Sequence, residues 1–583
     1  MKPRLTDLLL PVQLLTSMAI LALPATGAEP PQRAVLTGEV GNAASACAAR
    51  FRFAPFDSLP WLRADLTNEQ VSEFDDRYGH IMRRPFKQYS GDISGRFVEI
   101  MALNSRGDLA VHPALKQLLD EVVKQQRPGG YYCASGPIDW QQPIDYINET
   151  SPGSGGRMLP ALWGNSRMLC GLVEASRAFP EHAGVAKAAR QLGDFYIAML
   201  PRFNNPARTD EYKSAGSYAA GHITCWFPAM EGLVKLGALT GERKYINAAK
   251  EMAAFYEPFD RLPIDHAHGM LCCQVSLLLL FETTRDPSYL ARVEKRWDEL
   301  VTGGFINPAG GILEKCHVRY TMDEGCGIAD WIRLNLALGR STGNPRYWAM
   351  AERALHNHLL QNQNLKGGFG HRTMQTDPHG VCGFSTGYKE STWCCSFHGE
   401  VAFIRLREHL LTRGEGILTC HFALDFTATD AVGTTTSLLH RGIKPGEILR
   451  QRISLAGQPA TKVRARIPHW ADEVTLLSPA GKSVPHVAQD GWLSTHEPVT
   501  EVEFVFTGGV YAEDRCCTRL PDGPRPGKAF VLGYGPKLLA MAGGDSQTPA
   551  WPIKPEEIEA RGLKPLSAGF FGKNCRFVFG SDE

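Results

Sequence analysis

Three segments of this 583-residue chain repeat one local pattern, and that pattern forces helices to come in stacked pairs. They are Thr240-Gly-Glu-Arg-Lys-Tyr-Ile-Asn-Ala-Ala249, Thr284-Arg-Asp-Pro-Ser-Tyr-Leu-Ala-Arg-Val293 and Thr342-Gly-Asn-Pro-Arg-Tyr-Trp-Ala-Met-Ala351. Each closes one apolar helix, turns, and starts a second helix pinned by a tyrosine. Pairs of roughly 45 to 60 residues cannot bury their faces alone, so they stack in an open solenoid or a closed ring. Apolar residues at helical spacing recur over 115–123, 169–179, 185–199, 229–239 and 271–281, between Gly- and Pro-rich loops. The helical region, about 61 to 412, has room for about six pairs, a count that suits a closed α/α toroid.

Near residue 413 the period changes from helical to alternating. Ile417-Leu-Thr-Cys-His-Phe-Ala-Leu-Asp-Phe426, Lys462-Val-Arg-Ala-Arg-Ile467 and Val502-Glu-Phe-Val-Phe-Thr507 read as strands. The predicted fold is therefore mainly α with a β domain: an α/α toroid followed by a C-terminal β-sandwich. The predicted organisation is a signal peptide over 1–28, a lead-in over 29–60, the barrel over 61–412, the sandwich over 413–545 and a Pro-rich tail over 546–583. The signal reading rests on Lys2 and Arg4, an apolar stretch over 8–23, and small residues over 25–28. It predicts an exported protein, periplasmic or extracellular. No later stretch reads as a bilayer span. With 62 basic and 61 acidic residues, the chain has no basic footprint for nucleic acid, and a neutral substrate is the default.

Chemistry concentrates between 311 and 400. Asp323-Glu-Gly-Cys326 precedes one predicted helix and Trp393-Cys-Cys-Ser-Phe-His-Gly399 another. Both cysteine groups thus sit at helix N-termini, where the dipole and free N–H groups favour thiolate. Consecutive inner helices of a toroid bring such termini to one end. Glu324, Cys326, Cys394 and Cys395 offer three sulfurs and a carboxylate, a set that suits tetrahedral zinc. The chain has 15 cysteines with three vicinal pairs, Cys272-Cys273, Cys394-Cys395 and Cys516-Cys517, and adjacent cysteines rarely bridge each other. The residues alone leave zinc and buried or disulfide-bonded cysteines both open.

Glu324-x-Cys326 with Cys394-Cys395, supported by Gly221-His222, by His266 in Asp-His-Ala-His-Gly and by Ala465-Arg-Ile-Pro-His-Trp-Ala471, resembles glycoside hydrolase family 127, the β-L-arabinofuranosidase family. The likeness spans about 90 to 475 and is that of a remote branch. It implies an (α/α)6 barrel followed by β-sandwich domains, and a carbohydrate substrate. It also implies zinc bound by Glu324, Cys326, Cys394 and Cys395, with Cys394 as nucleophile. The acid/base glutamate follows a Gly-Gly-Ile segment, which makes it Glu314 here, although the gap to Glu324 is shorter than the family's. His222 and His266 match substrate-side histidines, with His268 a further candidate. Trp163, Asn165 and Arg167 stand where the family usually carries another histidine. Trp226 and Trp393 read as core packing, His398 as a helix-start hydrogen bond, and Cys316 and Cys272-Cys273 as structural. Asn148-Glu-Thr150 is a sequon by pattern.

Three rival readings are distinguishable. Another α/α-toroid enzyme, an unsaturated-uronide hydrolase or a lyase, would use an Asp/His/Tyr set and need no thiol. A non-catalytic glycan-binding protein with structural zinc would need no acid/base. A redox or metal-handling protein fits poorly with a single cluster in so large a toroid.

Overall fold

The repeated turn is made by side-chain hydrogen bonds. In the computed structural model, Thr240, Thr284 and Thr342 each donate to the carbonyl four residues back and accept from the N–H two residues on. Asp286 and Asn344 then cap the next helix by accepting from the N–H groups of Ser288 and Arg346. Gly241, Arg285 and Gly343 take the left-handed conformation that ends each first helix. Tyr245, Tyr289 and Tyr347 are buried at the start of the second.

The structure describes residues 33–67, 88–144, 158–209, 223–316, 322–376, 382–384, 389–517, 527–542, 564–565 and 579–580, single positions apart. The signal segment, the sequon at Asn148 and His222 lie outside the described residues, as do the side chains of Cys516 and Cys517.

The main helices are α1 (Gly38–Arg50), α2 (Asp92–Arg106), α3 (Leu115–Gln125), α4 (Met158–Ala178), α5 (Ala183–Phe203), α6 (Ala229–Thr240), α7 (Arg243–Tyr256), α8 (Ala267–Thr284), α9 (Pro287–Thr302), α10 (Gly325–Thr342), α11 (Pro345–Ala354) and α12 (Cys395–Glu408). The even-numbered helices pack side by side in order, and α12 returns to α2, so the ring closes. The odd-numbered helices lie outside, each against an even-numbered neighbour. Burial follows this division. α4 and α8 are buried almost throughout, whereas α9 buries a stripe of Tyr289, Val293, Arg296, Trp297 and Leu300. α8 is also long and apolar enough to cross a membrane by length and composition, contrary to the reading of no such stretch, but 78% of it is buried as a barrel stave.

Of the segment 29–60, read as a lead-in, the described residues 33–60 are built into both domains. α1 packs on α12 as the sixth outer helix. A strand at Arg33–Leu36 pairs antiparallel with Phe426–Thr429 at the edge of the β region. This strand was not legible because four residues carry too little alternation, and its partner lies almost 400 residues away. The β region has a six-stranded sheet, with the strand Glu447–Ala456 between Thr434–Arg441 and Glu501–Thr507. A five-stranded sheet includes Ile417–Cys420 parallel to Lys462–Arg466. Ile453, Val502 and Phe504 from the first sheet share one core with Leu418, Val463 and Leu493 from the second. A buried Arg466–Glu352 pair at 2.7 Å and Trp348 stacked 4.1 Å from His421 join the β region to α11.

Candidate active site

Three consecutive inner helices begin at the residues that carry the chemistry. His266 is the N-cap residue of α8, Glu324 of α10 and Cys394 of α12, and none uses its side chain to cap its helix. An imidazole, a carboxylate and a thiol therefore stand at one mouth of the ring without capping their helices. The first-turn N–H groups and the positive ends of the dipoles favour anionic side chains there.

The donor atoms of Glu324, Cys326, Cys394 and Cys395 all lie within 4.8 Å of one another, and all four residues are buried. Cys326 Sγ is 3.7 Å and Cys394 Sγ 3.6 Å from Cys395 Sγ. Such spacings are too long for a disulfide. They match the edge of a tetrahedron with Zn–S bonds of about 2.3 Å, which is about 3.8 Å. The buried Glu324 Oε2 has no hydrogen-bond partner, and His266 Nε2 stands 3.9 Å away. Burial holds the Glu324 carboxyl well above its ordinary range, and Cys394 and Glu314 add to the effect. Burial likewise pushes the Cys326 and Cys394 thiols up. Burial also raises Cys395, but hydrogen bonding with Cys326 and Cys394 overrides it and holds this thiol at about 6. Three sulfurs and a carboxylate oxygen, buried within 4.8 Å of one another, could hold a metal ion, and this donor set suits zinc. Cys326, Cys394 and Cys395 are not joined in disulfides.

Glu314 lies in the segment that runs into α10. Its N–H donates to Met322 O at 3.1 Å, and its carbonyl accepts from Ala267 N at 2.8 Å, which ties it to the start of α8 beside His266. The side chain is half-buried, and its charge acts on both Glu324 and His371. Cys316, two residues on, is fully buried and bridges to Ile264.

His371 was not anticipated. Its Nδ1 lies 2.9 Å from Asp323 O, and burial, which lowers its pKa, is outweighed by Glu324, Cys394 and Glu314, which raise it. Nothing in Gly370-His-Arg372 marks it in the sequence, because its neighbours arrive from other segments. Of the three residues at the departure from the family pattern, Trp163 reaches the site: its ring is 5.3 Å from that of His266, and its Nε1 donates to Asp92 at 3.2 Å. Asn165 binds the backbone of Tyr132, and Arg167 faces Glu231. Trp226 packs in the core against Tyr196 and Phe203. Trp393 packs half-buried against the core. His398 does not cap its helix with its ring, which faces Asp330 at 3.4 Å. Cys272 is buried within α8 with its sulfur 3.5 Å from Asp330, while Cys273 is packed in the core.

A closed ring of helix pairs with its polar cluster at one mouth, joined to a β-sandwich, is an α/α toroid, a fold that by itself does not fix a function. Residues 62–402 match the family described as β-L-arabinofuranosidase, GH127 catalytic domain; the chain belongs to that family and is a glycoside hydrolase. No curated protein matches the sequence. Among solved structures, a GH127 β-arabinofuranosidase is similar at 16% identity and a TM-score of 0.63, over 88% of this chain and 84% of its own. A GH127 β-L-arabinofuranosidase from Geobacillus stearothermophilus T6 is similar at 14% identity and a TM-score of 0.55, over 85% of this chain and 80% of its own. At these identities the likeness is one of fold.

Proposed function

We propose that this protein is an exported, retaining, β-L-arabinofuranosidase-like hydrolase that uses zinc held by Glu324, Cys326, Cys394 and Cys395, with Cys394 as nucleophile and Glu314 as acid/base. The observation that carries the reading is the convergence of those four donors within 4.8 Å, at the mouth where Glu314 is tied beside His266. In the first half-reaction the Cys394 sulfur bonds to the anomeric carbon as the bond to the leaving oxygen breaks, and Glu314 gives that oxygen its proton. In the second, Glu314 takes a proton from water as the water oxygen bonds to the same carbon. The carbon–sulfur bond breaks and its electron pair returns to Cys394. Two displacements retain the configuration. Zinc at the four donors supplies the positive charge that keeps the sulfurs deprotonated at neutral pH. His266, 13% exposed beside Glu324, takes the substrate side on family resemblance and would hydrogen-bond a sugar hydroxyl. His222 takes the substrate side on family resemblance. Export rests on residues 1–28.

The test is a screen of aryl glycosides at neutral pH, with and without chelator, alongside metal analysis. The expected result is chelator-sensitive hydrolysis with retention, zinc bound to the wild type and lost in Cys326→Ser, and no turnover by Cys394→Ala. Full activity in Cys394→Ala, or reduced protein that binds no zinc, overturns the reading.

A further inference from the structure

Beside the sulfurs lies a group of buried polar side chains from four inner helices. Arg96 comes from α2, His268 from α8, Asp330 from α10 and His398 from α12. Arg96 Nη2 stands 3.3 Å from His268 Nε2, and a guanidinium only donates, so His268 accepts there. The proton of His268 is then on Nδ1, which donates to Asp330 Oδ2 at 2.6 Å. His398 Nδ1 approaches the other Asp330 oxygen at 3.4 Å, and the two imidazole rings meet edge to face at 4.5 Å. Donor atoms of His268, His398 and Cys326 lie within 4.8 Å of one another, so this layer abuts the sulfur cluster.

Arg96 is the permanent charge of the layer. It is 2% exposed. Its Nε donates to Asp92 Oδ1 at 2.7 Å, and the same oxygen accepts from Trp163 Nε1. Its buried Nη1 has no hydrogen-bond partner. Burial disfavours the charged guanidinium, but Asp92, then Cys326 and Cys394, keep it charged.

We propose that Arg96 is a positioning residue for the sulfur cluster: held by Asp92 and by His268, whose ring nitrogen lies within 4.8 Å of the Cys326 sulfur, its fixed charge stabilises the anionic sulfurs. The inference rests on the reading of the four donors as a zinc site with Cys394 as nucleophile. Four anionic donors exceed the charge of one divalent ion, so the buried cluster keeps negative charge that a fixed cation offsets. The same cation favours the return of the electron pair to Cys394 when the carbon–sulfur bond breaks. Arg96 is buried, so the variant is expected to act on the sulfurs more than on substrate binding.

Arg96→Met in the full chain tests this, with the thermal midpoint as a folding control. Three quantities are read: zinc affinity by competition with a chromophoric chelator, the thiolate-to-cobalt absorption of the Co2+-substituted protein, and kcat and KM on an aryl glycoside. The expected outcome is zinc binding weakened by about 10-fold or more, a shifted cobalt band, and kcat lowered by about 10-fold with KM little changed. Arg96→Lys, which keeps the charge, is expected to recover most of the zinc affinity. If Arg96→Met does not fold, Arg96→Gln serves for the same comparison. Unchanged zinc affinity and cobalt spectrum overturn the proposal even where activity falls. A raised KM with unchanged kcat also overturns it and assigns Arg96 to the substrate. Wild-type protein that binds neither zinc nor cobalt defeats the reading of the site itself, an outcome distinct from a wild type that binds metal as tightly as the Arg96 variants.

Discussion

Glu324, Cys394 and His266 each occupy the position just before an inner helix, and each leaves capping undone. That choice sacrifices a stabilising hydrogen bond of about 1 kcal/mol per helix and releases three reactive side chains at one mouth. Glu314 differs: it stands half-buried outside the helices, its backbone tied to Met322 and Ala267. The general-acid role proposed for Glu314 would matter most when the leaving group needs a proton. Glu314→Gln is therefore expected to lower kcat/KM on an alkyl glycoside by about 10²- to 10⁴-fold, and much less on a nitrophenyl glycoside. Equal losses on the two would assign Glu314 another role. The four donors were legible because cysteine pairs and Glu-x-Cys before predicted helices are rare patterns. Arg96 and Asp330 were not, since a polar residue within an apolar helix looks the same whether it faces solvent or a barrel axis.

The helices α2 and α4 approach each other closely, and glycines permit it. A Cβ on Gly95 would sit 2.5 Å from the Met168 backbone, and one on Gly171 would sit 2.4 Å from the Gly95 carbonyl. This contact places Asp92 and Arg96 of α2 against Trp163 of α4. Gly95→Ala is expected to cost about 1–3 kcal/mol, read as a lowered midpoint in denaturant. A midpoint equal to that of the wild type would show that the two helices separate freely. The helix pairs themselves were readable, because the Thr-turn-Tyr pattern encodes a hydroxyl bridge, a left-handed stop and a buried ring in ten consecutive residues.

Across the whole molecule, the barrel and the β region meet over buried imidazoles. His409 and His421 are buried near Trp348, with His421 stacked on its ring. Burial lowers the His409 pKa to about 4, and Arg340 assists. Burial and then His409 hold His421 well below its ordinary value. An unfolded histidine titrates near 6.5, so between about 6.5 and 4 the unfolded chain binds more protons. Stability from these groups is complete above about 6.5 and is lost as pH falls, by up to about 3 kcal/mol for His409. The thermal midpoint is expected to fall between pH 7.5 and 5, and to fall less in His409→Phe. A midpoint that rises on acidification would contradict this account.

Sequence by itself determined the periodic features. Local hydrogen bonding and side-chain spacing settled the helix pairs, the change to strands after about 412, and the donors that precede two of the helices. Tertiary structure decided what depends on closure. The return of α12 to α2, the strand Arg33–Leu36 added to a distant sheet, and the arrival of His371, Arg96 and the Asp330–histidine layer beside the sulfurs all join residues far apart in the chain. Such contacts form only when the ring shuts, because loop closure over that distance is compensated by the whole buried core and not by any local signal.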